Sequence, residues 1–186
     1  LIQEFISKLP FELTRDQKVS AWEILKDLQK TYPMNRLMEG DVGSGKTVVA
    51  LIAAIQTAHA DYQTVFMAPT EILANQHMET IRKLTAHTDI EIVLLTGSQA
   101  WSTYSLGKKT EIKKRIENGQ AKIIIGTHAL IEKGVLFKNL ALVVLDEQHR
   151  FGVAQRAALV KNKEIVPHLL SMTATPIPRT LALTIY

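Results

Sequence analysis

Cysteine is missing from all 186 residues, which excludes a disulfide framework and any cysteine-ligated zinc. Long apolar runs are missing too. The longest, 48–55, falls far short of the roughly 18–20 residues that cross a bilayer as a helix. No charged-then-apolar leader opens the chain, and it holds no internal repeat, low-complexity tract or linker rich in proline or serine. A soluble, cytoplasmic protein with no membrane partner is the expectation. Strong charge of one sign is also lacking. With 22 Lys and Arg against 18 Asp and Glu the net charge is +4, which tolerates a polyanionic partner without naming one.

What is present suits one well-filled domain spanning 1–186: 46% of the residues are hydrophobic, and no boundary signal divides the chain. It opens at Leu1 rather than Met and stops at Tyr186 inside an apolar stretch, so it is expected to be a piece of a longer protein. Short β-rich apolar runs at 36–38, 64–67, 92–95, 122–125, 141–145 and 169–172 read as strands. Helical patterns at 46–59, 71–84 and 108–118 fall between them, and another at 16–29 precedes the sheet. Because the strand runs need not alternate, both faces are expected to be covered, which is the signature of an α/β fold with a mostly parallel sheet. The segment 98–109 reads as an exposed loop.

The chemistry concentrates in Gly40-Asp41-Val42-Gly43-Ser44-Gly45-Lys46-Thr47, which fits G-x-x-x-x-G-K-[ST] between an expected strand and an apolar helix. Glycines let the backbone curl so that successive N–H groups face one anion, and the helix start adds its positive end. Lys46 is placed to reach the β- and γ-phosphates of ATP, and the Thr47 hydroxyl to bind Mg²⁺. A second site candidate is the end of the strand at 141–145, which runs into Asp146-Glu147-Gln148-His149 at the edge where open α/β sheets bind ligands. Adjacent strand residues face opposite ways, so Asp146 is expected to turn to Mg²⁺ and Glu147 to the attacking water. Lys46, Asp146 and Glu147 are the candidate catalytic residues. A solvated turn after a strand is the plain alternative for the acidic pair. His149 takes its interest only from the tetrad around it. His59, His77, His87 and His168 show no ligand-like grouping and are assigned no chemistry.

In order and spacing, the phosphate loop, the tetrad and Ser171-Met-Thr-Ala-Thr-Pro176 resemble the first motor domain of superfamily 2 helicases. Pro10-Phe-Glu-Leu-Thr-Arg-Asp-Gln17, Ala68-Pro-Thr-Glu-Ile-Leu-Ala-Asn-Gln-His77, Thr96-Gly97-Ser98 and Gly126-Thr-His-Ala-Leu130 match further motifs, so the resemblance covers nearly the whole chain. It implies a RecA-like phosphate-loop NTPase fold and the cofactors ATP and Mg²⁺. By the same resemblance Gln17 reads the adenine edge and Phe11 stacks on the base. Pro69, Thr70, Gly97, Thr127 and His128 hold phosphates of one DNA strand, although each taken singly is more often a turn or cap residue. His149, Thr173 and Thr175 pass the nucleotide state to the DNA side. Within the superfamily, Met34–Thr47, Asp146–Val153 and Thr173–Thr180 are worded like the bacterial branch-migration helicases, which implies branched or forked DNA as partner. The motors of the transcription-repair coupling factor and, more distantly, PriA are alternatives, as is an ATP-gated DNA-binding module without turnover.

Lys108, Lys109, Lys113, Lys114 and Arg115 surround Ile112 and Ile116 in a basic amphipathic pattern. A solvated face is the default for it over a DNA track. Trp101 and Tyr104 read as loop anchors rather than base-stacking platforms. The arginine that completes a phosphoryl-transfer site has no clear candidate, since Arg150 and Arg179 look structural or inter-domain. By the resemblance it comes from a second motor domain of the same parent chain.

Overall fold

The computed structural model describes residues 2–104, 108–127, 130, 135–146 and 166–174. Seven strands form one sheet: β1 (Asn35–Glu39), β2 (Gln63–Met67), β3 (Ile92–Leu95), β4 (Ala100–Ser102), β5 (Ile123–Gly126), β6 (Leu140–Asp146) and β7 (His168–Thr173). Their spatial order is β1-β7-β6-β2-β5-β3-β4, with every pairing parallel except the antiparallel edge pair β3–β4. Five helices accompany them: α1 (Ile2–Ser7), α2 (Arg15–Asp27), α3 (Lys46–His59), α4 (Glu71–Leu84) and α5 (Lys109–Glu117).

Alternate strand residues divide the core in two. Phe66, Ile92, Leu94, Ile123, Ile125, Leu142, Val144, Leu170 and Met172 pack with α2, α3 and α4 on one face. Val65, Met67, Val93, Leu95, Ile124, Val143 and Leu145 pack with Ile112 and Ile116 of α5 on the other. This two-sided cover is why strand runs are continuously apolar, as in β3, where Ile92, Val93, Leu94 and Leu95 are all buried. The helix α3 is apolar around its whole circumference, with every residue from Val48 to Ile55 buried between the sheet and its helical neighbours.

Local signals explain the element ends. Thr14 caps α2 in a reciprocal box: its hydroxyl accepts from Gln17 N at 3.2 Å, and Gln17 Oε1 accepts from Thr14 N at 2.9 Å. Arg36 of β1 fastens that helix to the sheet, its Nε and Nη2 donating to Asp27 Oδ2 at 2.9 and 2.6 Å and its Nη1 to Glu23 at 2.7 Å. Lys30, then Arg36, hold the Asp27 carboxyl below its ordinary range. At the same end of β1, His168 Nδ1 accepts from Met34 N at 2.9 Å, and burial lowers the pKa of that imidazole.

The six strand runs and four helices expected from periodicity are all present, with ends displaced by two residues at most. The loop expected at 98–109 needs correction, because Ala100–Ser102 pairs with β3 and Trp101 packs against the larger core. Three residues are too few for a period to declare itself, so cross-strand pairing decides the matter. Trp101 is thus the anchor anticipated for it, whereas Tyr104 is 60% exposed. Helix α1, six residues long, was equally invisible to periodicity. Among the described residues no helix is long and apolar enough to cross a membrane.

One buried amide closes the sheet's lower edge. Gln63 is fully buried, its Nε2 donating to Ile116 O at 2.8 Å and Ala121 O at 2.9 Å while its Oε1 accepts from Asn139 N at 3.0 Å. Removing the amide strands backbone groups away from water, at about 1–3 kcal/mol for each one left unsatisfied. Ile116 O keeps its bond from Gly119 N, so two groups are stranded and Gln63→Leu is expected to lower the unfolding free energy by about 2–6 kcal/mol in urea denaturation; an unchanged midpoint would show that these bonds carry no net stability.

Candidate functional site

Parallel strands end together, so the sheet presents its C-terminal ends along one edge. At one side of that edge stand β1, β7 and β6, which deliver Gly40, Thr173 and Asp146 side by side. The register pairs Glu39 with Thr173 and Asp146 with Met172, and Gly40 N donates to Thr173 O at 3.2 Å. The loop after β1 is therefore hydrogen-bonded to the strand that separates it from the acidic strand end.

The loop itself is built for an anion. Gly43 and Gly45 both take φ +83, in the left-handed region that residues with a Cβ rarely enter. A Cβ on Gly45 would also lie 2.3 Å from Gln17 Nε2. That Nε2 donates to Ser44 O at 2.9 Å, so Gln17 closes the cap of α2 with one end of its amide and braces the loop with the other. Helix α3 begins at Lys46 with no side-chain cap on Gly45; Val48 N turns back to Gly45 O at 3.1 Å, and the N–H groups of Lys46 and Thr47 are left to the loop's concavity. Lys46 Nζ donates to Gly40 O at 2.5 Å and Asp41 O at 2.8 Å, which folds the ammonium back over the loop. Thr47 follows, partly buried, and Val42 forms the loop's exposed tip at 90%. Backbone donors, a lysine and a hydroxyl at a helix start fit a nucleotide's phosphates.

Asp146, at the end of β6, keeps 18% of its side chain exposed, and its Oδ2 lies 2.7 Å from His77 Nε2. The sequence reading assigns His77 no chemistry and does not anticipate this contact. A signal was available: Ala74, Met78 and Ile81 are the buried positions of α4, and residue 77 falls on the same helical stripe, facing the sheet. Among the described residues no cluster of three or more His, Asp or Glu forms a metal cage. Mg²⁺ held through one or two protein oxygens, waters and substrate phosphates needs none. Thr47 and Asp146 each carry an oxygen of the type such a site uses.

Across the sheet, the ends of β2, β5 and β3 carry the remaining candidates. Thr70 caps α4, accepting from Leu73 N at 3.3 Å, and is exposed beside Pro69. Gly97 is exposed in the turn after β3, where its carbonyl accepts from Lys109 Nζ. Glu71 joins these two places: its carboxylate accepts from Ser98 N at 2.9 Å and from Ser98 Oγ, and these bonds hold it below the ordinary carboxyl range. Sequence inspection missed that brace, because nothing local links residues 71 and 98. Thr127 differs from Thr70 and Gly97 in being buried, at 5% exposed. Phe11, 46% exposed, lines an open 480 Å³ cavity with Leu9, Pro10 and Lys18, and no residue of the 40–47 loop shares it. Gln17 thus touches the loop directly, while the Phe11 ring stands exposed on the segment that leads to it. Glu147, His149, Thr175 and His128 lie outside the described residues, as do Arg150 and Arg179.

The strand order, the glycine loop and the acidic strand end define a nucleotide-binding NTPase domain of the phosphate-loop class. The chain belongs to the DEAD/DEAH box helicase family, whose model matches residues 14–184; the tetrad here reads Asp146-Glu-Gln-His149. It is 48% identical over its whole length to the ATP-dependent DNA helicase RecG of Aquifex aeolicus, covering 23% of that protein. It is likewise 50% identical to RecG of Thermotoga maritima, again covering 23% of it. A solved structure of RecG bound to a three-way DNA junction superposes with a TM-score of 0.84 at 46% identity, over 99% of this chain and 24% of that one. The chain thus spans about a quarter of the length of the curated relatives it matches.

Lys46→Ala removes the phosphate counter-charge while leaving the buried part of α3 intact. A loss of at least ~10–100-fold in MgATP affinity is expected by calorimetry, equivalent to about 1.4–2.8 kcal/mol, with the melting temperature unchanged. Wild-type affinity in that variant would contradict the loop's assignment.

Proposed function

We propose that this chain is the first motor domain of an ATP-dependent DNA helicase, and that its parent protein couples ATP hydrolysis to movement on branched or forked DNA. The observation that carries the reading is the adjacency of the 40–47 loop, Thr173 and Asp146 at neighbouring strand ends, joined by the Gly40–Thr173 hydrogen bond. Similarity to RecG, including its junction-bound structure, favours DNA over a small-molecule acceptor.

In this reading Lys46 and the loop amides bind the β- and γ-phosphates, and Thr47 and Asp146 hold Mg²⁺. Bound there, the ion neutralises phosphate charge. Glu147 takes the proton of the attacking water, a role that needs a carboxylate beside the metal ligand. Gln17 retains one amide hydrogen and a further acceptor position after its two loop and cap bonds, which suits the adenine edge. Phe11 supplies the stacking surface. Thr173, bonded through its carbonyl to the loop, joins His149 and Thr175 in relaying nucleotide state. Pro69, Thr70, Gly97, Thr127 and His128 track the phosphates of one DNA strand, the exposed Thr70 hydroxyl and Gly97 amide being groups that position a backbone without reading its sequence.

Two measurements test this. In the full-length protein Glu147→Gln is expected to keep nucleotide affinity and lose ~10²-fold or more in ATP turnover, the size of a general-base contribution. Parental turnover would move the water-activating role to another residue. Residues 1–186 alone are expected to bind ATP and hydrolyse it at least ~10³-fold more slowly than the parent, since an arginine supplied from elsewhere contributes on the order of 10³–10⁵. Steady-state ATPase with and without a forked duplex decides it. Strong DNA-stimulated hydrolysis by the segment would mean that the site is complete within this chain.

A further inference from the structure

We infer that His77 is a positioning residue that sets the orientation of the Asp146 carboxylate from α4, and so ties the cation-binding side of the sheet edge to its DNA side. The inference rests on the proposed motor function and adds a physical connection that this function requires.

An ionised carboxylate only accepts hydrogen bonds, so the 2.7 Å contact fixes His77 Nε2 as the donor and Asp146 Oδ2 as the acceptor. The bond occupies one lone pair of Oδ2. Oδ1, with its remaining capacity, is left for a cation and its waters. Because the imidazole keeps 11% of its side-chain surface and the carboxylate 18%, solvent competes little for either group. The ring is further confined by Phe66 of β2, at 6.4 Å between centroids and 45° between planes. A carboxylate at a strand terminus would otherwise rotate freely about its side-chain torsions; here its rotamer is set by a group on a different element.

That element is the one whose first turn carries Thr70 and Glu71. From Thr70 to His77 is two helical turns, about 10 Å, and the helix is buried along this stripe at Ala74, Met78 and Ile81. Its N-terminus is bound through Glu71 to Ser98, beside Gly97. A phosphate backbone engaging Thr70 and Gly97 therefore pulls on a rigid body whose second attachment is the Asp146 carboxylate. No other described side chain is hydrogen-bonded to that carboxylate. A small rotation of α4 lengthens or tightens the bond and changes the carboxylate's aim. Partners of this kind, which orient a metal ligand without touching the metal, typically alter metal affinity or activity by about 10–100-fold when lost.

The test uses full-length wild type, His77→Phe, which keeps the ring's bulk beside Phe66 without a donor, and His77→Gln, whose amide restores a donor near the Nε2 position. Mn²⁺ binding in the presence of ADP is followed by loss of the free-ion EPR signal, and ATPase is measured with and without a forked duplex. His77→Phe is expected to raise the Mn²⁺ half-saturation about tenfold and to reduce the DNA-stimulated to basal ratio severalfold, with metal-free ADP binding unchanged. His77→Gln should recover both. Wild-type Mn²⁺ half-saturation or wild-type stimulation in His77→Phe overturns the inference, as does a glutamine variant no better than phenylalanine at equal melting temperature. A wild-type protein lacking DNA-stimulated ATPase would instead overturn the motor reading itself, and the inference with it.

Discussion

The arrangement depends on parallel pairing of β7 between β1 and β6. Because all three strands run the same way, their C-terminal ends meet at one edge, and residues far apart in the chain become neighbours. Gly40 and Asp146 flank Thr173 by register alone, before any side chain is considered. The Gly40–Thr173 hydrogen bond continues the β1–β7 ladder into the phosphate loop, so the loop's position is set by the sheet. Such a sheet is stable only when both faces are covered. The apolar α3 and the Ile112–Ile116 face of α5 are therefore conditions of the site's geometry as well as of the core.

The same strand order divides the edge. Nucleotide candidates fall on β1, β7 and β6, and DNA candidates on β2, β5 and β3, with the boundary between β6 and β2. Helix α4 belongs to the second group by its starting point and to the first by the reach of His77. Gln17 plays a comparable part at the far end, joining the α2 cap to the phosphate loop. Both are polar side chains that link two elements, and their value lies in fixing backbone or carboxylate positions more than in net stability.

Much of this was legible in the sequence for identifiable reasons. Continuous apolar runs beside amphipathic patterns gave the sheet and its crossovers, and the spacing of Gly40, Gly43, Gly45 and Lys46 admits few structures other than a phosphate loop. Pairing decided by tertiary contact was not legible. The three residues of β4 carry no period, His77 looks like a solitary helical histidine until β6 is placed opposite it, and Glu71 meets Ser98 only because β2 and β3 are both parallel neighbours of β5. The acidic tetrad beyond Asp146 remains known through sequence and family alone, since Glu147 and His149 fall outside the described residues.

The central claim is that one sheet edge is divided between two ligands. Hydrogen exchange of the full-length protein, measured separately with MgADP and with a forked duplex, tests it at the level of backbone segments. The account predicts that nucleotide slows exchange at 40–49, around the loop and the start of α3, while DNA slows it at 70–73 and 96–99. Protection by DNA that is strongest at 40–49, or protection by nucleotide that is strongest at 70–73 and 96–99, would contradict the division.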